Sequence, residues 1–232
     1  MVNIDDVYQK VLAIANKEQR GYITPQEFNL FADHAQMEIF EQYFYDLNQF
    51  TRVPGNIKEY GDVITNLQEK INIFNNQYAG YSLTLPNNLY RLGDVYHQFG
   101  GFGRTHVERV EKKDLADILR SPLLAPTPLR RIYIRRQDNS IDVYPQQNTF
   151  SNQVTYDYIR MPAKPSWGYF VVGDKALHDS DPTKTTNFEL HPSEENELVY
   201  KILKLAGISM QNIDVMKAAQ GLESIQVSQE KQ

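Results

Sequence analysis

The hydrophobic period of this chain changes twice. Residues 1–77 carry apolar side chains at spacings of three and four. Residues 80–190 read mostly as alternating strands and loops, and 191–232 return to the helical period. That order predicts an α+β fold: an N-terminal antiparallel helical bundle over 1–77, a β-rich domain with loops over 78–190, a helix over 191–207 that rejoins the bundle, and a C-terminal docking tail over 208–232.

The first helix is predicted from Ile4 to Lys17, with Asn3 as cap and Asp5 and Asp6 at its positive end. Thr24-Pro25-Gln26-Glu27 forms a capping box with Pro at the first helical position, and the second helix runs from there to about Asn48. Its wide aromatic stripe (Phe28, Phe31, Phe40, Tyr43, Phe44) suggests burial on more than one side. Ile57 to Asn75 keeps a strict three–four seam, after the turn Val53-Pro54-Gly55-Asn56. In the middle region, Tyr81–Leu85, Leu89–Gln98 (with Gly93 as a possible bulge), Val107–Val110, Tyr169–Val172 and Val154–Arg160 read as strands. Leu129–Arg136 and Ile141–Tyr144 read as a hairpin, and Lys112–Leu119 as a short helix. Ser121 to Pro128 is a proline-bounded loop, and 173–186 reads as an exposed loop. His191-Pro192-Ser193-Glu194 opens the last firm helix, which Gly207 ends. Beyond it, Ile213–Ala219 has room for about two helical turns, interrupted by Gly221. Ile213, Met216, Leu222 and Ile225 are too apolar for a solvated tail and predict docking onto another surface.

Composition excludes several chemistries. The 232 residues include no cysteine, so there is no disulfide framework, thiolate zinc site, iron–sulfur cluster or thiol nucleophile. The net charge of −5 argues against a free-standing duplex-DNA binder. No apolar run is long enough to span a membrane, and the N-terminus lacks the apolar core of a secretory signal. Seventeen Asn, 18 Gln and 15 Tyr suit large uncharged contact surfaces, or reflect a compositional bias of the source.

No motif predicts catalysis. There is no G-x-S-x-G, and Gly100–Gly103 lacks the Walker and Rossmann spacings. Glu194, Glu195 and Glu197 fall in the first turn of a helix, where they complement its dipole. Asn16–Glu27 can be laid on a calcium loop, but Arg20 stands where a ligand oxygen is required and the capping box accounts for the pattern. His178, Asp179, Asp181 and Glu189 share a polar loop, either a metal site or a solvated acidic surface. Arg130, Arg131, Arg135 and Arg136 frame Ile132-Tyr133-Ile134. In a strand, Arg131, Tyr133 and Arg135 share one face. That face suits a phosphate backbone or an acidic protein surface, or else protects a sheet edge.

The order of parts resembles the head-to-tail adaptor proteins of short-tailed bacteriophages, the ring or tail-tubular type. The stretch Leu85-Pro86-Asn87-Asn88-Leu89-Tyr90-Arg91-Leu92, then Ile132-Tyr133-Ile134, Ile141–Pro145 and Val154–Tyr158, is similar to their succession of β segments. Phe188 to Leu203 resembles their returning helix, and Gly21 to Phe31 resembles structural proteins of crAss-like phages. The resemblance implies a virion protein without enzymatic activity or cofactor, located at the head–tail junction. It implies a homo-oligomeric ring of about twelve copies, with the portal protein and neighbouring ring or tail proteins as partners and viral DNA passing without specific grip. The residue patterns alone also accommodate a small soluble ligand- or metal-binding regulatory protein.

Overall fold

The computed structural model describes residues 1–17, 23–52, 58–80, 83–98, 104–145, 154–173, 175–209 and 213–230. The fold is α+β, and it divides into two units: Met1–Ile73 with Pro162–Gln232, and Phe74–Met161.

In the first unit, α1 (Ile4–Lys17) buries Ile4, Val7, Tyr8, Val11 and Ala15, whereas Ile14, whose three–four spacing continues the series Ile4, Val7 and Val11, is 42% exposed. The capping box that starts α2 (Pro25–Arg52) is formed. The Glu27 amide donates to Thr24 Oγ1 at 3.3 Å, and the Thr24 amide and hydroxyl donate to Glu27 Oε2 at 3.0 and 2.8 Å. Those bonds stabilise the carboxylate and hold its pKa below the usual value. α2 buries Phe28, Ala32, Ala35, Ile39 and Phe40, with α3 (Lys58–Asn72) and α5 (Glu195–Ser209) both packed against it. Two contacting helices account for the width of its apolar stripe. A 3₁₀ turn over Pro192–Glu194 leads into α5, with the His191 side chain accepting the Ser193 amide as cap. α5 runs through Gly207, and lies against α1 as well as α2.

The second unit holds six strands: β1 (Asn75–Gly80), β2 (Leu89–Gln98), β3 (Arg104–Arg109), β4 (Ile132–Arg135), β5 (Ile141–Tyr144) and β6 (Val154–Arg160). Their order across the sheet is β1-β6-β2-β3-β4-β5, antiparallel except for the β3–β4 pair. The parallel pair needs a crossover, which residues 110–131 supply together with α4 (Leu115–Arg120). Register shifts between Leu92 and Val95 against β6 put a bulge at Gly93, where a Cβ would stand 3.0 Å from the Asp157 carbonyl oxygen. The β4–β5 hairpin turns through Asn139 at φ 53°, a left-handed conformation that Asn tolerates. One sheet face packs Leu89, Val95, Val107, Tyr133, Ile141 and Tyr156 into a core.

Five sequence expectations need correction, the first being the end of the last firm helix, which continues past Gly207 to Ser209. Residues 162–190, read as part of the β-rich domain, belong with the helices. Trp167 is buried there, donating from Nε1 to Asp5 at 2.9 Å and packing at a tilt against Tyr8 with ring centroids 4.0 Å apart, and a small hairpin of β7 (Tyr169–Val172) and β8 (Lys175–His178) follows it. The third helix stops at Asn72, and Asn75–Gly80 is a strand on β6 instead. Leu83–Leu85 makes only an isolated bridge, Thr84 to Ser140. Finally, the supposed tail forms α6 (Ile213–Glu230), unbroken at Gly221 and packed back on α5. Glu223 receives Lys201 at 2.9 Å and Lys204 at 3.0 Å, and Ala219 is buried. These contacts offset the roughly 1 kcal/mol that a mid-helix glycine costs. The turn at 53–56, the glycine cluster at 100–103 and residues 18–22 of the calcium-like loop lie outside the described residues.

Two measurements follow from these contacts. Thr24→Ala removes the cap acceptor and is expected to lower stability by about 1 kcal/mol, read by urea denaturation; an unchanged midpoint would refute the cap's role. Truncation after Gly207 deprives buried Lys201 of Glu223. The shortened protein is expected to melt at a lower temperature than the full chain, and equal melting temperatures would show that α6 adds nothing to the fold.

Candidate functional site

Among the sequence-predicted docking residues, the strand face divides. Arg131 and Tyr133 are buried, at 3% and 4% exposure, and Arg135 is exposed. The alternation expected of a two-faced strand fails here because Ile132, Tyr133 and Ile134 are all covered, so the face read as a contact surface is reduced to Arg135. Tyr133 packs into the sheet core, and burial pushes its phenol pKa up. Arg135 lines an open cleft of about 460 Å³ with Lys112, Arg136, Asp138, Asp142 and Tyr144. Arg136 Nε lies 3.4 Å from Asp142 Oδ2 within it.

Arg131 is held inside by β2. Its Nη1 lies 3.4 Å from His97 Nε2, and its Nε donates to the Pro128 carbonyl at 3.2 Å. An arginine keeps its proton, so His97 Nε2 accepts and the imidazole is neutral with its proton on Nδ1, a buried atom without a hydrogen-bond partner. Burial, and then the adjacent guanidinium, push the His97 pKa down to about 4.

On α6, Leu222 and Ile225 are exposed, at 46% and 55%. The side chains of Ile213 and Met216 lie outside the described residues. The polar loop read as a possible metal site is organised by its own hydrogen bonds. Lys184 Nζ stands 2.6 Å from Asp179 Oδ2, where a cation would sit. Asp181 accepts the Thr183 amide and hydroxyl, and Glu189 Oε2 accepts the Ala163 amide. His178 stacks on Trp167 at 5.7 Å. Among the described residues no cluster of His, Asp and Glu could hold a metal ion. None of their helices is long and apolar enough to cross a membrane. The glutamates that open α5 are structural. Glu194 is fully buried against Lys70 at 2.5 Å and accepts the Ser193 hydroxyl at 3.0 Å, while Glu197 lies 3.6 Å from Lys201. Burial works against the charge of Lys201, but Glu38, Glu223 and Glu197 outweigh it and raise its pKa.

Sequence reasoning missed two exposed apolar features. The crossover between β3 and β4 leaves Leu119, Leu123, Leu124 and Leu129 at 43–87% exposure, and no residue of α4 is buried. The β7–β8 hairpin exposes Phe170, Val171, Val172 and Leu177. The signal for the first was available: leucines interleaved with Pro122, Pro126 and Pro128 follow no helical or strand period, so no core face claims them. The helical unit also carries a cleft of about 370 Å³, with Phe50, Val63 and Leu67 beside Asp46, Glu69 and Lys70. Comparison of the sequence with known protein families and with characterised proteins returns no match.

The His97–Arg131 contact has a pH consequence. His97 titrates at about 4 in the fold and near 6.5 when unfolded, so between these values the unfolded chain binds the extra proton. Stability from this group is intact above pH 6.5, falls as pH drops towards 4, and the loss levels off at about 3 kcal/mol. Urea denaturation from pH 7.5 to 4 is expected to show a slope that His97→Gln flattens; identical slopes in the two proteins would contradict a neutral buried His97.

Proposed function

We propose that this chain is a virion structural protein that forms a ring adaptor between portal and tail and lines the passage for the genome. The observation that supports it most is the chain path. Both termini contribute to one helical unit, residues 74–161 form a separate β unit inserted into it, and α5 comes back against α1 and α2. That is the order of parts on which the resemblance to phage adaptors rests. Exposed leucines and a two-stranded hairpin with apolar side chains are further support, because a protein that functions within an assembly keeps such surfaces for its neighbours. The ring copies, the portal and adjoining tail proteins would be those neighbours, and the role needs no catalytic group and no cofactor.

Peptide mass spectrometry and cryo-electron microscopy of phage particles whose genome encodes this chain test the proposal. The expected result is the chain in purified virions, as a ring of about twelve copies directly below the portal. Its absence from purified particles would refute the proposal.

A further inference from the structure

We infer that the leucine-rich crossover of the β unit is a self-association arm, and that its receptor is the 370 Å³ cleft on the helical unit of a second copy of this chain. The inference rests on the ring reading only for the closure of the assembly; the pairwise contact is argued from the residues themselves.

The arm is exposed and ordered at once. Leu123 is 87% exposed and Leu129 62%. A six-residue helix without a buried face is far too short to persist on its own. The segment is held by its backbone: Ser121 accepts the Ala125 amide at 3.0 Å through its carbonyl and the Leu124 amide at 3.3 Å through its hydroxyl. The Thr127 amide donates to the Arg130 carbonyl at 2.9 Å, and the Arg130 amide donates to Thr127 Oγ1 at 3.1 Å. Pro122, Pro126 and Pro128 restrict the chain further. Leucines displayed on a pre-ordered loop lose little conformational entropy when they bind, which is the property of a binding element.

Charge selects the occupant. The unit 74–161 carries 11 basic and 8 acidic side chains, a net +3, and the remainder carries 13 basic and 21 acidic, a net −8. The two units of different copies therefore attract, whereas like units repel. The local pattern matches. Leu123 and Leu124 are flanked by exposed Arg120 and Arg130. The cleft offers Phe50, Val63 and Leu67 as apolar lining, with exposed Glu69 at its side and Asp46 within; its one lysine, Lys70, is already paired with buried Glu194 at 2.5 Å. A knob on one part of the surface and a hole on another form a heterologous contact, the kind that closes into a ring or continues as a filament.

The test uses the full chain in sedimentation velocity over a range of concentrations and salt. The expected result is association that weakens as salt rises, and that falls at least about tenfold in L123D/L124D, which should melt as the parent does because these side chains are exposed. Arg120→Glu is expected to weaken association and Glu69→Lys to restore it in the double variant. A photo-crosslinking residue in place of Leu123 should capture peptides containing Phe50 or Leu67 from another copy. A parent that stays monomeric throughout, a leucine variant that associates as the parent does, a charge swap without rescue, or crosslinks confined to other surfaces would each overturn the inference. Failure here is distinguishable from failure of the adaptor reading. Virions that contain the chain in a ring built through another surface would remove only this contact, and association through Leu123 by a chain absent from virions would remove only the adaptor.

Discussion

The helical unit depends on one buried amide. Gln36 has no exposed surface, and its two ends grip two distant points of the chain: Nε2 donates to the Ala163 carbonyl at 2.8 Å, and Oε1 accepts the Glu189 amide at 3.0 Å. Both ends of the 162–190 segment are thereby fixed to the middle of α2. Seven residues earlier on the same helix, Asn29 repeats the device on Trp167, accepting its amide at 2.7 Å and donating to its carbonyl at 3.3 Å. The β7–β8 hairpin and the Ser166–Thr186 bridge satisfy the middle of the segment, and helix side chains satisfy backbone groups at its ends. The N-terminal segment adds further anchors: Asp5 accepts Trp167 Nε1, and Val2 bridges to Phe188. Within the β unit, the Arg160 amide donates to the Phe74 carbonyl at 3.0 Å, so the points where the chain enters and leaves are bonded to each other. An insertion whose ends meet imposes little on its host.

What could be read from the sequence follows from where the physical signal is local. α1, the start of α2 and the β4–β5 hairpin were legible because their stripes, caps and turn residues lie within a few positions of one another. β1 was not, since Asn75-Asn76-Gln77 has no alternation and becomes a strand only through its partner β6. The 162–190 segment is illegible for the same reason. Its anchors, Gln36 and Asn29, are more than 100 residues away and look like ordinary helix-surface amides. The full length of α6 is not legible because Gly221 weakens the local pattern, and the support comes from another helix, where Lys201 of α5 donates to Glu223. For the candidate surfaces the failure is different. Arg131, Tyr133 and Arg135 were grouped by strand alternation, which presumes one covered face. Burial of both sides of β4 defeats it, and Arg131 goes inside because a neutral histidine, a carbonyl and the end of the crossover receive it.

The distribution of charge ties these points together. The chain's modest net charge of −5 conceals a basic β unit and a strongly acidic helical remainder. In the helical unit several acids are consumed internally: Glu194 by Lys70, Glu223 by Lys201 and Lys204, and Asp179 by Lys184. Since each such pair removes one charge of either sign, the surplus of acid remains and must face solvent or a partner. The β unit has the opposite surplus, concentrated in arginines, which combine planar hydrogen bonding with weak hydration and so tolerate partial desolvation at contacts better than lysines do. Its apolar protrusion lies between two of them, Arg120 and Arg130. Two surfaces that are complementary in charge, and that both present apolar groups, are stabilised by being covered by each other. In the self-association proposed above, the partner that would cover both is another copy, and a copy covered at its arm would still present an open cleft. Association by that route would have no reason to stop at two.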